Sequence, residues 1–302
     1  MIKNINQYDN AILITHNDLD GAVCEILAKK AVNIEETHVC DYKDVNETVR
    51  RILSTEKEQR RYRPIIITDI SVDLETAKLL ESYYRLYTSV LLIDHHKTAI
   101  FLNQYLWAVV DINYSASMLV YETFKNVLPE FIQLTTLAND YDLWVHKYPE
   151  SKQLNTLFSN IPRSIFIDRF LNNSDTSFID EEKFLIDTIN YQNNKYIKKM
   201  ASKIRIFDDE IKDKHYKIGM VIADRNINDL AELMLQENEE IDIALLLNLT
   251  NEAVSIRSRK DVDCSEYAEF FGGGGHAQAA GFPLKHIEDL MYLLSVYYEG
   301  EK

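Results

Sequence analysis

The sequence predicts an α/β protein, with an N-terminal domain built on a parallel sheet with flanking helices and a smaller C-terminal α/β domain with a mixed sheet. Three observations carry that reading. Short apolar runs recur at Ala11–Thr15, Pro64–Asp69 and Leu91–His96, each ending in or running into carboxylates or imidazoles. A buried strand that delivers reactive side chains to its C-terminal edge has this form, and open parallel sheets hold ligands at that edge. Helix-like stretches alternate with these runs, in the strand, helix, strand rhythm of parallel crossover units. The 302 residues, 46% of them apolar, are long for one core and ample for two.

Taken in order, Ala11–Thr15 is a short buried strand, followed by His16-Asn-Asp18-Leu-Asp20-Gly21 and a helix from Ala22 to Ala31. His16, Asp18 and Asp20 alternate, so an extended backbone would aim all three to one side. Gly21 permits a tight turn, and Asp20 also reads as an ordinary helix cap. Residues 35–41 form a second strand and 46–58 a charged helix. Pro64–Asp69 is a strand ending in a carboxylate, and Asp73-Leu-Glu starts a helix that runs to about residue 86. Val90–Ile93 leads into Asp94-His95-His96, and a strand at 107–110 ends at Asp111. Tyr114–Asn126 and Pro129–Asn139 read as helices. The second finishes in Asn139-Asp140-Tyr-Asp142-Leu-Trp144, where carboxylates oppose the helix dipole and a cation would favour them. Residues 151–178, Asn/Ser-rich with isolated Arg163 and Arg169, read as lid or connector.

The expected organisation is a metal-binding catalytic domain over 1–180, a connecting helix over 181–203 and a substrate-binding domain over 204–302. In the last, strands are expected at 215–223, 241–249 and 252–258, with helices at 228–238, 264–271 and 286–298. Arg257, Arg259 and Lys260 stand together at a strand end, and Phe271 is followed by Gly272-Gly273-Gly274-Gly275-His276. Glycines let backbone N–H groups approach an anion, and arginine offers a planar fork matched to phosphate.

Composition narrows the function. No stretch approaches the roughly 18 apolar residues of a membrane span, and Met1-Ile2-Lys3-Asn4 lacks a signal peptide's apolar core. Cys24, Cys40 and Cys264 are scattered, with neither disulfide nor zinc-ribbon spacing, which points to the reducing cytoplasm. A formal charge of −15 argues against binding long duplexes, so an anionic substrate needs local positive charge such as divalent cations. His16, Asp18, Asp20, Asp69, His95 and Asp140 converge from four segments, and this mixture of carboxylates and imidazoles suits manganese. Two ions suit it better than one, with Asp69 on a central strand as the shared carboxylate.

With these motifs in order, the chain resembles the DHH-family phosphoesterases. The resemblance rests on His16–Gly21, Thr68-Asp69, Asp94-His95-His96, Asn139-Asp140, Arg257 and Gly272–Gly275-His276-Ala-Gln-Ala-Ala-Gly-Phe282, and spans nearly the whole chain. Its C-terminal part looks like the substrate-binding domain of the oligoribonuclease (nanoRNase) branch and unlike that of the manganese pyrophosphatases. The resemblance implies one Mn2+ on His16, Asp18 and Asp69, and a second on Asp20, Asp69, His95 and Asp140. It gives His96 a contact with the scissile phosphate and Asp94 the task of orienting the histidine pair. Arg257 and His276 would hold the substrate's phosphate, with Gly273, Gly274 and Gly275 lining the cradle. Two details depart from the family pattern. The first motif spaces His16 and Asp18 closely, and Asp142 competes with Asp140, which is preferred because Trp144 follows it by four residues as in related motifs.

The expected activity is manganese-dependent hydrolysis of short single-stranded oligonucleotides or dinucleotides to mononucleotides. Its alternative is a phosphodiesterase or phosphatase for small nucleotides, such as linear or cyclic dinucleotides or 3′-phosphoadenosine 5′-phosphate. A catalytically idle nucleotide-binding protein is the rival from another class, and the intact ligand set argues against it.

Overall fold

In the computed structural model, which describes residues 5–299, the chain divides into two compact units, one running to Ile186 and the other from Asp187. The first unit begins with β1 (Ala11–His16), α1 (Leu19–Ala31), β2 (Ile34–Cys40), α2 (Val45–Gln59), β3 (Ile65–Thr68), α3 (Leu74–Leu86) and β4 (Val90–Asp94). A 3-10 helix (Lys97–Gln104) leads to β5 (Ala108–Val110), and α4 (Ala116–Phe124), α5 (Ile132–Asp142), α6 (Pro149–Asn160) and α7 (Arg163–Asn172) complete it. The strands form one all-parallel sheet in the order β2-β1-β3-β4-β5. The strand order reverses between β1 and β3, and a crevice opens at the carboxyl end of such a switch point.

Strand alternation divides the core into two layers. Leu13, Ile66, Leu91 and Ile93 face α1 and α4–α7, whereas Ile12, Ile14, Ile65, Ile67 and Leu92 face α2, α3 and the 3-10 helix. Burial on both faces explains why these strands read as unbroken apolar runs. The parallel register pairs Thr15 with Thr68, and Thr68 with Ile93. His16, Asp69 and Asp94 therefore emerge at one level of the sheet.

The expected lid or connector at 151–178 is largely α6 and α7. Phe166, Ile167 and Phe170 bury one face of α7 in the layer that holds α1. Polar residues on the outer faces of these short helices masked their periodicity.

The second unit starts within α8 (Asp180–Ala201) and continues through β6 (Arg205–Ile211), β7 (Lys214–Ile222), α9 (Ile227–Glu237), β8 (Ile243–Asn248) and β9 (Ala253–Ser258). It ends with α10 (Ser265–Phe270), β10 (Gly274–His276), β11 (Ala279–Pro283) and α11 (Ile287–Glu299). Its six-stranded mixed sheet has the order β10-β11-β9-β8-β7-β6. One face packs on α10 and α11 through Tyr267 and Leu293, and the other packs on α9 and the end of α8 through Val221, Ala244 and Leu246. Among the described residues, no helix is long and apolar enough to cross a membrane.

Gly21 fixes the turn from β1 into α1. A Cβ at this position would lie 2.3 Å from the His16 carbonyl oxygen, so backbone would have to move against a sheet already packed on both faces. Gly21→Ala should therefore lower stability by about 1–3 kcal/mol, the range for overpacking a core site, as read from the urea midpoint.

Candidate metal centre

The end of β1, the start of α1, the residue after β3, the residues after β4 and the last turn of α5 meet at the switch point. Asp18 is the N-cap of α1, its Oδ1 accepting the Gly21 backbone N–H at 2.9 Å. Its Oδ2 lies 2.8 Å from His16 Nδ1. Because the helix starts at Leu19, Asp20 lies inside its first turn and not on an extended backbone. The expected alternation of His16, Asp18 and Asp20 therefore stops at Asp18, and Asp20 reaches the site from the helix. It is buried, with the Ser117 backbone N–H donating to its Oδ2 at 3.2 Å. Asn139 braces the same corner by accepting the Ser115 backbone N–H at 2.9 Å.

Asp69 adopts a left-handed conformation (φ 59°) while its backbone N–H donates to Ile93 at 2.9 Å. Asp tolerates this conformation better than most residues. Its carboxylate lies 3.8 Å from His16 Nδ1 and 3.4 Å from His95 Nε2. His95 Nε2 is also 3.4 Å from Asp142 Oδ2. Three overlapping groups have ligand atoms within 4.8 Å of one another: His16, Asp18 and Asp69; Asp69, His95 and His96; and Asp20, His95 and Asp142. Asp69 and His95 link them into one cluster.

Charge in this cluster is unbalanced. Burial and the Asp20 and Asp18 charges push the Asp69 carboxyl well above the carboxylate range. Burial and the same two neighbours push Asp142 up to about 8, and burial with the Asp18 charge pushes Asp20 up to about 6. Asp18 overcomes burial through its hydrogen bond to His16 and falls to about 2. Burial and the neighbouring His96 lower His95, favouring the neutral imidazole a metal requires. Asp69 Oδ2 and Asp142 Oδ2 are buried without hydrogen-bond partners. Buried like charges and orphaned oxygens beside neutral imidazoles fit divalent cations, which would be the largest local charges and would reverse these shifts.

Residues 183–299 match the DHHA1 domain. The chain is 32% identical over 305 residues to oligoribonuclease NrnB of Bacillus subtilis, covering 94% of this chain and 74% of that protein. The chain belongs to the DHH family of phosphoesterases. The pGpG-specific phosphodiesterase PggH of Vibrio cholerae shares the fold at a TM-score of 0.59 and 13% identity, over 96% of this chain and 98% of that one. So does RecJ of Thermus thermophilus, solved with Mn2+, at 0.57 and 12% identity, over 97% of this chain and 52% of that one.

The structure corrects this DHH protein's expected site at one position. Asp140 is turned away from the cluster, accepting the Lys147 and Tyr148 backbone N–H groups at 2.9 and 3.2 Å and the Ser151 hydroxyl at 2.7 Å. These bonds hold a loop in which Trp144 and His146 have left-handed backbones. They also keep Asp140 below the ordinary carboxylate range despite burial, Ser151 foremost. Asp142 stands in the cluster instead. The helix runs to Asp142, three residues past its expected end, and two residues along a helix turn a side chain to another face.

Asp94, fully buried, accepts from the His95 backbone N–H at 2.8 Å and lies 2.7 Å from His96 Nδ1, all through Oδ1. Burial alone would lower His96, but the Asp94 hydrogen bond and the surrounding carboxylates raise it. Two neighbours were not among the expected site residues. Tyr42 touches His96, and Arg163 donates to the Asp18 carbonyl at 3.4 Å while pairing with buried Glu25 at 3.1 Å. Arg163 lies 145 residues from Asp18 in sequence, and no local pattern signals the pairing.

In the second unit, register pairs Arg257 with Ala279 and Ala279 with His276, so all three project from one face. The same face carries Ala244 under α9. Beyond β8 it presents Ser255, Arg257, Ala279, Gly281 and His276, which join neither apolar layer. Arg257 donates to Asn228 Oδ1 at 2.5 Å and to its neighbour's carbonyl at 2.7 Å. Arg259 leaves the expected cation cluster, because it donates to the carbonyls of Leu235, Asn238 and Ile241 and closes the C-terminus of α9. The glycine run, expected as an open cradle, is partly strand β10. A Cβ at Gly273 would lie 2.1 Å from the Gly281 oxygen and one at Gly275 2.5 Å from the Ala279 oxygen, whereas Gly274 has open space.

Asp142→Asn should weaken divalent-cation binding by more than the roughly 10–100-fold that outer partners of metal ligands cost. Asp140→Ala should instead lower stability by about 1.5–3 kcal/mol through lost charge-assisted bonds. Calorimetric Mn2+ titration and urea midpoints separate the two. A second expectation concerns pH. Asp20 and Asp142 hold protons in the folded metal-free protein that the unfolded chain has released, so their contribution is present at low pH and is lost as pH rises through about 6 and 8. His95 works the other way, but only below its ordinary 6.5. The chelated protein should therefore lose stability between about pH 6.5 and 8.5, and added Mn2+ should abolish that slope in the urea midpoint.

Proposed function

We propose that this enzyme hydrolyses phosphodiester bonds in short single-stranded oligonucleotides, down to dinucleotides, and releases mononucleotides with the help of two manganese ions. The observation that carries the reading is the placement of Asp69, between His16 and Asp18 on one side and His95 on the other. His16, Asp18 and Asp69 would hold one ion, and Asp20, Asp69, His95 and Asp142 the other, a mixed nitrogen and oxygen donor set suited to manganese. Bound there, two divalent cations supply Lewis-acid stabilisation of phosphoryl charge. The 32% identity to an oligoribonuclease supports the substrate class, and RecJ, which shares the fold, holds Mn2+.

The chain's own residues do the rest. Asp94, buried at the end of β4, holds His96 by Nδ1 and would keep the charge of its imidazolium beside the substrate phosphate. Residues 1–180 would carry the hydrolysis, 181–203 connect, and 204–302 seat a substrate phosphate. In that last part Arg257 and His276 flank the small Ala279 on one sheet face, giving a phosphate two donors with room between them. Gly273 and Gly275 let β10 run close to β11, and Gly274 keeps the face beside His276 clear. The second reading is hydrolysis of small nucleotides, and the fold shared with a pGpG-specific phosphodiesterase favours linear dinucleotides within it.

Chelation should abolish hydrolysis, and Mn2+ should restore it better than Mg2+ or Ca2+. On single strands from two nucleotides upward at fixed salt, catalytic efficiency should not rise with length, because a chain of charge −15 repels added phosphates. Arg257→Ala should raise KM more than it lowers kcat on dinucleotides. Full activity in chelator, or efficiency that climbs steadily with length, would contradict this reading.

A further inference from the structure

Between β2 and α2 the chain makes a short turn that carries Tyr42 onto the two imidazoles outside the sheet. Its hydroxyl lies 2.6 Å from His96 Nε2. Its ring centroid is 4.8 Å from that of His16 and 5.4 Å from that of His96, edge-on to the latter at 82°. The ring is about half exposed and joins neither apolar layer of the first unit, so its packing serves the site and not the core. His96 is thus gripped at both ring nitrogens, by a fully buried carboxylate at 2.7 Å and by this hydroxyl. An imidazole held at one nitrogen can still pivot about that bond, and a second bond removes the motion.

Resting on the function proposed above, we propose that Tyr42 is a positioning residue of the phosphodiester chemistry, acting through His96 by fixing the plane of its imidazole. The hydroxyl neither replaces His96 at the phosphate nor holds a metal. Misplacing a reacting group by about 1 Å costs up to roughly a hundredfold in rate, and the lost hydroxyl leaves the Asp94 bond in place. The expected penalty is accordingly smaller, about tenfold.

Tyr42→Phe keeps the ring against His16 and removes only the hydroxyl. With Mn2+ and a dinucleotide, kcat should fall about tenfold while KM stays within about twofold. Mn2+ affinity by calorimetry should match the parent. In the metal-free protein, the His96 imidazole nitrogens in a long-range 1H–15N spectrum, assigned by their loss in His96→Ala, should move. Placed on top of His96→Ala, Tyr42→Phe should change kcat by less than about twofold, because a residue acting through His96 has nothing left to position. Unmoved His96 nitrogens, or an equal Tyr42→Phe penalty with and without His96, would overturn the proposal. Full turnover by His96→Ala would instead sink the role given to His96 in the proposed function. The spectrum needs neither metal nor substrate, so it judges the Tyr42 contact separately from that reading.

Discussion

Burying Asp20 and Asp69 beside half-buried Asp142, with Asp18 at the rim, is the constraint around which the first unit is arranged. A buried unpaired carboxylate is costly, and proximity of like charges multiplies the cost. The fold offers partial relief. Asp18 caps α1, and Asp20 receives a backbone N–H from the first turn of α4. Each helix N-terminus contributes only about half an elementary charge, so two of them leave most of the negative charge standing. The rest is met in the metal-free molecule by protons, which is what the raised Asp20, Asp69 and Asp142 carboxyls express. A site that binds protons where carboxylates ordinarily have none is poised to exchange them for cations.

Such a cluster needs a rigid frame, and the parallel sheet supplies it. Strands packed on both faces cannot shift without opening the core, so the level at which His16, Asp69 and Asp94 emerge is set by register. This part was legible in the sequence, because buried parallel strands are unbroken apolar runs whose last residues are visible as the first polar ones. The choice between Asp140 and Asp142 was not legible in the same way. Both sit in the last turn of α5, and which one faces the cluster depends on where the helix stops and on a loop that only the folded chain assembles. Tyr42 and Arg163 were invisible for a related reason: their partners lie 54 and 145 residues away, and no local periodicity encodes such contacts.

The second unit shows the opposite failure of local reading. Glycine disfavours strands and leaves no apolar alternation to detect, so Gly272–Gly275 looks like a flexible loop. In the folded chain Gly273 and Gly275 are glycines because backbone from β11 occupies the space a Cβ would need. Gly274 has no such reason. It faces the same side as Gly281 through register, on the part of the sheet that α9 leaves uncovered. Arg259 makes the complementary point, since an arginine beside a glycine run invites a phosphate yet here spends its donors on two carbonyls at the end of α9 and one just before β8. Arg257, two residues before Arg259, keeps its place on the open face.

Adjacent histidines after β4 illustrate how backbone geometry assigns chemistry. His95 lies with its Nε2 between Asp69 and Asp142, where burial favours the neutral ring. His96 pairs with Asp94, and there hydrogen bonding outweighs burial and favours the charged ring. Asp94 serves both residues from one oxygen, accepting the His95 amide and meeting the His96 imidazole. Two side chains of the same type, one peptide bond apart, thereby acquire opposite protonation preferences. A neutral imidazole can donate an electron pair to a cation, and a protonated one can meet a phosphate oxygen. The division follows from burial at His95 and from one buried carboxylate, at the end of a single strand, that outweighs burial at His96.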